Sequence, residues 1–202
     1  GPAARRLLDL GFVMVTSWNG RAVVPEDDPR SLGALHGSGV PMVGDFWARC
    51  DLMLVAGSRL RGHETLDFSL KLPARRAVVD VDPQADGRTY ANDLFVLGDA
   101  GLTLEALADR LEGWSAEAGF QAEFAALKGR ARRAVAATLG PYASFAEQLR
   151  AAMPEDAIFA RDVTINHSTW GHRLLELSDP TANIYPVGEG IGQGLSRAIG
   201  AP

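Results

Sequence analysis

A single cysteine, Cys50, stands among 202 residues. That excludes an internal disulfide and leaves no second thiolate to share a metal, so its expected place is a small apolar thiol in the core. Basic residues are also in deficit: 20 Lys and Arg against 25 Asp and Glu give a formal charge of -5. Such a balance offers no positive footprint for a nucleic-acid backbone and none for an anionic membrane surface. No apolar run approaches the roughly 20 residues that cross a bilayer. The start has no basic-then-apolar signal pattern either, and the sequence reads as cytoplasmic. Aromatics make up only 7%, and Trp18, Trp47, Trp114 and Trp170 are scattered, as packing residues are. What is plentiful is apolar residue and glycine, 47% and 22 positions, enough for one good core or two small ones.

Short β-branched runs set the architecture. FVMVT (Phe12 to Thr16), DLMLVAG (Asp51 to Gly57) and RAVVDVD (Arg76 to Asp82) read as buried strands, each closed by a turn signal. Helical or irregular stretches separate them, among them Gly44 to Arg49 and Arg61 to Leu72. FVLGDA (Phe95 to Ala100) then leads into a helix over Leu102 to Leu111. Strands alternating with helices predict an α/β fold with a doubly wound, Rossmann-like parallel sheet. From Glu117 to Ala137 apolar residues recur at helical spacing, which suits a connecting helix. Gly140-Pro141 breaks it. A second α/β unit follows: helix Phe145 to Ala152, strand Ala157 to Ala160, helix Thr169 to Leu177 and strand Asn183 to Val187. The expected organisation is therefore residues 1–113, a connector over 114–140, and the beginning of a second domain over 141–202. The chain opens at Gly1 directly into an amphipathic helix and ends in a helix just begun, so both ends are expected to be cut.

Two loops invite ligands. Gly188-Glu189-Gly190-Ile191-Gly192-Gln193-Gly194 places glycine at every second position before a helix, which lets a ligand approach the backbone; a tight strand-to-helix connection explains the same spacing. Asp162 to Ser168 follows a strand and carries hydroxyl and amide donors suited to phosphate, or equally to a helix cap. His167 beside it reads as a capping or surface residue rather than an acid or base. Gly57-Ser58-Arg59 sits at the carboxyl end of a strand, where open α/β sheets place ligands, and Asp80 and Asp82 can accept from a ribose hydroxyl or simply end a strand in a turn. Pro25-Glu26-Asp27-Asp28-Pro29 reads as a solvated turn. Arg130, Arg132 and Arg133 read as the wet face of the connecting helix.

Val15 to Gly33, Cys50 to Leu60, Val78 to Pro83 and Gly98 to Leu107, taken in order, resemble the central domain of thiamine-diphosphate-dependent enzymes. The likeness is to the acetolactate synthase and benzoylformate decarboxylase group. The stretch from Ser144 onward resembles the start of that family's diphosphate-binding domain. The resemblance implies a wedge role for Ile191 under the cofactor, with Gly190 and Gly192 flanking it and the Glu189 carbonyl receiving the cofactor's amino group, although relatives mostly carry glycine at that last position. It implies diphosphate contacts from Thr164, Ile165 and Asn166. It also implies that Gly57, Ser58, Arg59, Asp80 and Asp82 lie near FAD in the relatives that use flavin. The pyrimidine-activating glutamate and the Mg2+ ligands would lie outside these residues, and the family's active sites form between subunits, as homodimers or homotetramers. The chain alone is thus expected to be inactive, with no catalytic or metal residue of its own. The whole protein is expected to be a lyase or transferase acting on a 2-oxo acid. A non-catalytic nucleotide- or flavin-binding Rossmann-like module is the alternative, and a purely structural central domain is a third reading.

Overall fold

The computed structural model describes residues 1–34, 41–164, 167–186, 188 and 190–201. They divide into two compact units: Gly1–Phe12 with Leu35–Glu123, and Val13–Ala34 with Phe124–Pro202.

The first unit is built on a parallel three-stranded sheet. Helix α1 (Pro2–Asp9) opens with a proline in its first turn, where the missing N–H costs nothing, and buries Ala3, Leu7 and Leu8. After α2 (Pro41–Trp47), which buries Phe46 and Trp47, come β3 (Leu52–Ala56), β4 (Arg75–Asp80) and β5 (Leu94–Leu97). These are laid side by side in that order, with Leu54 opposite Ala77 and Ala77 opposite Leu94. Helix α3 (Ala100–Arg110) starts where Asp99 accepts the Leu102 N–H at 2.9 Å, a side-chain cap that satisfies one orphan donor of the first turn. It packs on α1 and on β4. Gly11, at φ +107°, must be glycine, since a Cβ there would lie 2.6 Å from that of Ala116. Parallel strands with flanking helices place this unit in the doubly wound α/β class.

In the second unit, β1 (Met14–Thr16) pairs in parallel with β2 (Ser31–Ala34). The FVMVT run is thus a strand, shortened at its start, and its partner is β2 rather than the three-stranded sheet. The connecting helix α4 (Phe120–Ala137) buries Phe124, Leu127, Ala131 and Val135 at helical spacing, together with the stem of Lys128. After α5 (Phe145–Ala152), β6 (Phe159–Ala160) and β7 (Asn183–Ile184) pair in parallel, and α6 (Gln193–Ile199) packs against both.

The expected helix over Thr169–Leu177 does not form as such. A wide turn covers His167–Gly171, with Thr169 at non-helical φ and ψ, and helical structure stops by Leu174. The cause lies in who takes the backbone. The carbonyls of Gly171 and Leu175 accept from Arg21 at 2.7 and 2.5 Å, that of Leu174 from Arg132 at 2.8 Å, and Leu177 exchanges both its backbone groups with Glu26. Groups bound by these side chains are not available to an i to i-4 ladder.

The solvated acidic turn is also corrected. Glu26 is only 2% exposed and Arg21 only 1%; they form a two-pronged ion pair at 2.8 and 2.5 Å. Asp28 is gripped by Arg30 at 2.8 Å, and this guanidinium holds its carboxyl below the usual range. Arg132 is likewise engaged, bridging to Glu176 at 3.1 Å, whereas Arg130 and Arg133 are exposed as expected. Cys50 is half-buried rather than a core thiol; its Sγ lies 3.5 Å from the Phe46 carbonyl and burial raises its pKa.

Candidate functional site

Within the second unit the two ligand-inviting loops meet. Residue Asp162, leaving β6, turns its carboxylate onto the glycine loop, accepting the N–H of Gly192 at 2.9 Å and of Gly194 at 3.0 Å, as well as that of Val163 at 2.7 Å. These backbone donors, the Gly194 N–H first, hold the carboxyl below its ordinary range. The contact needs glycine at 194, where a Cβ would fall 2.8 Å from the Asp162 backbone nitrogen and 3.0 Å from the Arg161 carbonyl carbon. Gly192 takes a left-handed φ of +95°, as does Gly188 at +77°, conformations that cost a side chain 1 kcal/mol or more, on the order of the left-handed penalty. Ile191 stands on this loop with 80% of its surface exposed. An isoleucine that exposed does no core work. Gly190 has its own close neighbour, the Gln193 side chain, 2.3 Å from where a Cβ would sit.

Thr164 is exposed at the end of the first loop. Ile165, Asn166 and Glu189 lie outside the described residues, so their expected contacts with diphosphate and pyrimidine are not placed. Sequence reasoning singled out Asp162 only as the start of a loop. The signal that could have found its role is an acid directly after a strand and a glycine run with unsatisfied amides thirty residues on.

Behind the loops lies a buried cation that the sequence did not disclose. Arg161, 3% exposed, stacks on the rings of Tyr185 and Phe159 at 5.0 and 5.3 Å. It donates to Asn183 Oδ1 at 2.7 Å and faces His172 Nδ1 at 3.1 Å. The His172 ring stacks on Trp18 with centroids 4.6 Å apart. Burial, with the like charge of Arg21, pushes the guanidinium down to about 9, still cationic at neutral pH.

In the first unit the nucleotide-type residues occupy the carboxyl ends of β3 and β4. Gly57 is left-handed at φ +60° and donates to Val79 O at 2.9 Å. The Ser58 hydroxyl accepts from the Leu60 N–H at 3.3 Å, and Arg59 is exposed. The two acids are engaged locally. Asp80 accepts the N–H of Asp82 at 2.9 Å. Asp82 caps the following turn through the Gln84 N–H at 2.9 Å and pairs with Arg88 at 3.2 Å. The enclosed space beside Ser58, Arg59 and Tyr90 amounts to about 10 Å³, room for about one water molecule. Among the described residues no three His, Cys, Asp or Glu side chains converge as a metal site would require. Nor is any described helix long and apolar enough to cross a membrane.

A doubly wound first unit with a left-handed glycine turn at a strand end, and a second unit in which two loops meet at Asp162, define an α/β protein. Residues 3–107 match the family model described as the thiamine pyrophosphate enzyme, central domain. The match covers half of the chain, and the chain belongs to that family.

Three curated relatives extend the likeness. The probable 2-ketoarginine decarboxylase of Pseudomonas aeruginosa is 30% identical over 197 residues, 95% of this chain and 34% of that protein. Benzoylformate decarboxylase of the same organism is 30% identical over 153 residues, 75% of this chain and 28% of that protein. The acetolactate synthase large subunit of Parasynechococcus marenigrum is 29% identical over 97 residues, 48% of this chain and 16% of that protein. The matched stretches thus span about a third or less of the length of these relatives.

Proposed function

We propose that the chain forms the central part and the first cofactor-binding elements of a thiamine-diphosphate-dependent enzyme acting on a 2-oxo acid. The observation that carries this reading is Ile191, a bulky apolar side chain left in solvent on a glycine loop that Asp162 pins to the phosphate-type loop. These residues fit the cofactor: an exposed apolar wedge for its rings, left-handed glycines that leave room for close approach, and an exposed Thr164 at the loop proposed for its diphosphate. In this reading Ile191 orients the rings, Gly190 and Gly192 keep the backbone clear, Thr164, Ile165 and Asn166 hold the diphosphate, and Glu189 offers its carbonyl to the pyrimidine amino group. When bound, the cofactor supplies the electron sink that lets a 2-oxo acid lose carbon dioxide. The protein's share is to fix the geometry in which that happens.

Mg2+ on the diphosphate, a lyase or transferase outcome and assembly as a homodimer or homotetramer complete the reading. The 202 residues alone are proposed to bind cofactor weakly and to turn nothing over. A FAD or other nucleotide along Gly57, Ser58, Arg59, Asp80 and Asp82 is a second reading, favoured by the exposed Arg59 beside a left-handed Gly57. The engagement of Asp82 with Arg88 weighs against it.

The test is carbon dioxide release from pyruvate, benzoylformate and 2-ketoarginine by the whole protein that contains this chain, with and without thiamine diphosphate and Mg2+. Release that depends on both supports the proposal. Failure of all three substrates together with no measurable cofactor binding overturns it. Flavin absorbance of the purified whole protein decides the second reading.

A further inference from the structure

Among the described residues of the second unit, the buried cations outnumber the carboxylates paired with them. Glu26 is spent on Arg21 through two short contacts, and its remaining bond goes to the Leu177 N–H. Lys128 and Arg132 share Glu176. Among the described residues no carboxylate pairs directly with Arg161, although Glu26 attracts it through charge; its partners are a side-chain amide, an imidazole nitrogen and two aromatic faces. Its Nε–H is buried and finds no acceptor among the described residues. A buried guanidinium left without a paired anion keeps its desolvation cost uncompensated, and an orphan donor adds to it. Such a group is uncommon in a finished core and common where an anion is meant to arrive.

An open concavity lies beside its partners. Asn183 and Tyr185, which touch Arg161, also line an open concavity of about 380 Å³ together with Ile184, Arg197, Gly200 and Ala201. Among the described residues that lining contains one cation and no acid. A volume of this order falls in the range of small-ligand clefts. Arg197 adds attraction for an oxyanion at the rim.

We propose that Arg161 is an anion-binding residue: a small ligand's carboxylate or phosphate oxygens enter the concavity between β7 and α6, pair with Arg161 and are steadied by Arg197. The site is reached independently of the thiamine reading, because it uses none of Thr164, Gly190, Ile191 or Gly192. A planar guanidinium with a free N–H suits such two-oxygen groups.

The experiment uses the 202-residue protein and follows the Arg161 Nε–H resonance by 15N NMR, together with the melting temperature. The probes are pyruvate and inorganic pyrophosphate, with sodium chloride matched in ionic strength. A saturable shift of that resonance and a rise in melting temperature are expected with one of the two probes. The midpoint should move to at least tenfold higher concentration in Arg161→Met and severalfold in Arg197→Ala. Saturation by pyruvate assigns a carboxylate ligand, and saturation by pyrophosphate assigns a phosphate. If neither probe moves the resonance, if sodium chloride moves it equally, or if Arg161→Met responds as the native protein does, the proposal falls. Should Arg161→Met fail to fold, the native titration and Arg197→Ala, a change at a partly exposed residue, decide alone. Because no thiamine compound is added, failure here leaves the cofactor reading standing, and success does not establish it.

Discussion

The carboxylate of Asp162 accepts the backbone N–H of Gly194 at 3.0 Å, and that of Gly192 at 2.9 Å, across thirty residues of sequence. One side chain thereby fixes the entry of the glycine loop relative to the end of β6. It also means that the amides of Gly192 and Gly194 are already satisfied and do not await a ligand's phosphate. The diphosphate contacts in the proposed site fall to the loop that begins at Val163.

Replacing Asp162 with Asn keeps the shape but loses the charge that strengthens these bonds. Hydrogen exchange at Gly192 and Gly194 is expected to speed up while exchange in β6 is unchanged. Acid should do the same to the native protein. The folded-state pKa of Asp162 is below the ordinary value of 3.8, so the folded state holds fewer protons than the unfolded one. The contribution is complete above that ordinary value and is lost as pH falls through the lowered one. If the two glycine amides exchange equally in Asp162→Asn and the native chain, the clamp is not what holds the loop.

Gly194→Ala is expected to destabilise by about 1–3 kcal/mol through overpacking. The added Cβ meets main-chain atoms of residues 161 and 162, which cannot swing aside. Gly200→Ala serves as the comparison. Its nearest neighbour is 3.6 Å away and its φ is negative, so urea denaturation should show little change there. Equal midpoints for the two variants would remove the close approach as the reason for glycine at 194.

Among the described residues Glu26 is the acid paired with the Arg21 guanidinium, and its loss strands a buried positive charge. Glu26→Gln is expected to cost about 3–5 kcal/mol in equilibrium unfolding. The double change Glu26→Leu with Arg21→Met should recover a large part, because no charge is then left unpaired. A double variant as unstable as the single one would show that Arg21 matters through the carbonyls of Gly171 and Leu175 more than through its charge.

The parts of the fold that were legible in the sequence are those set by neighbours along the chain. β3 and β4 announce themselves as short apolar runs and α4 by Phe120, Phe124 and Leu127 at helical spacing, whereas FVLGDA reads only as the lead into the helix that follows and not as β5. β2 was hidden because SLGA (Ser31 to Ala34) has no alternation and includes Gly33 at φ +82°. The breaking of the helix after Thr169 has a distant cause: Arg21, which pairs with Glu26 five positions on, takes the carbonyls of Gly171 and Leu175 some 150 positions away. No local pattern encodes that meeting. At the candidate site, glycine spacing marked the loop but not the acid that closes it, and Arg161 looked like any charged residue at a strand end.

Ile191 separates a structural from a ligand-binding role most directly. By residue type an isoleucine belongs to a core, yet this one is 80% exposed, so truncating it removes almost no buried contact within the chain. Ile191→Ala is expected to leave unfolding free energy within about 0.5 kcal/mol of native. If its side chain is covered by a bound thiamine ring, the same change forfeits about 2 kcal/mol of apolar burial, or roughly thirtyfold in affinity. Ile191→Met, of similar volume, should keep most of it. Fluorescence titration with thiamine diphosphate and Mg2+, on the whole protein containing this chain, reads the difference. Unchanged stability with affinity lost in Ala and kept in Met fits a wedge under the rings; equal affinity in all three places the cofactor elsewhere, and the exposed isoleucine then has to be explained by another surface.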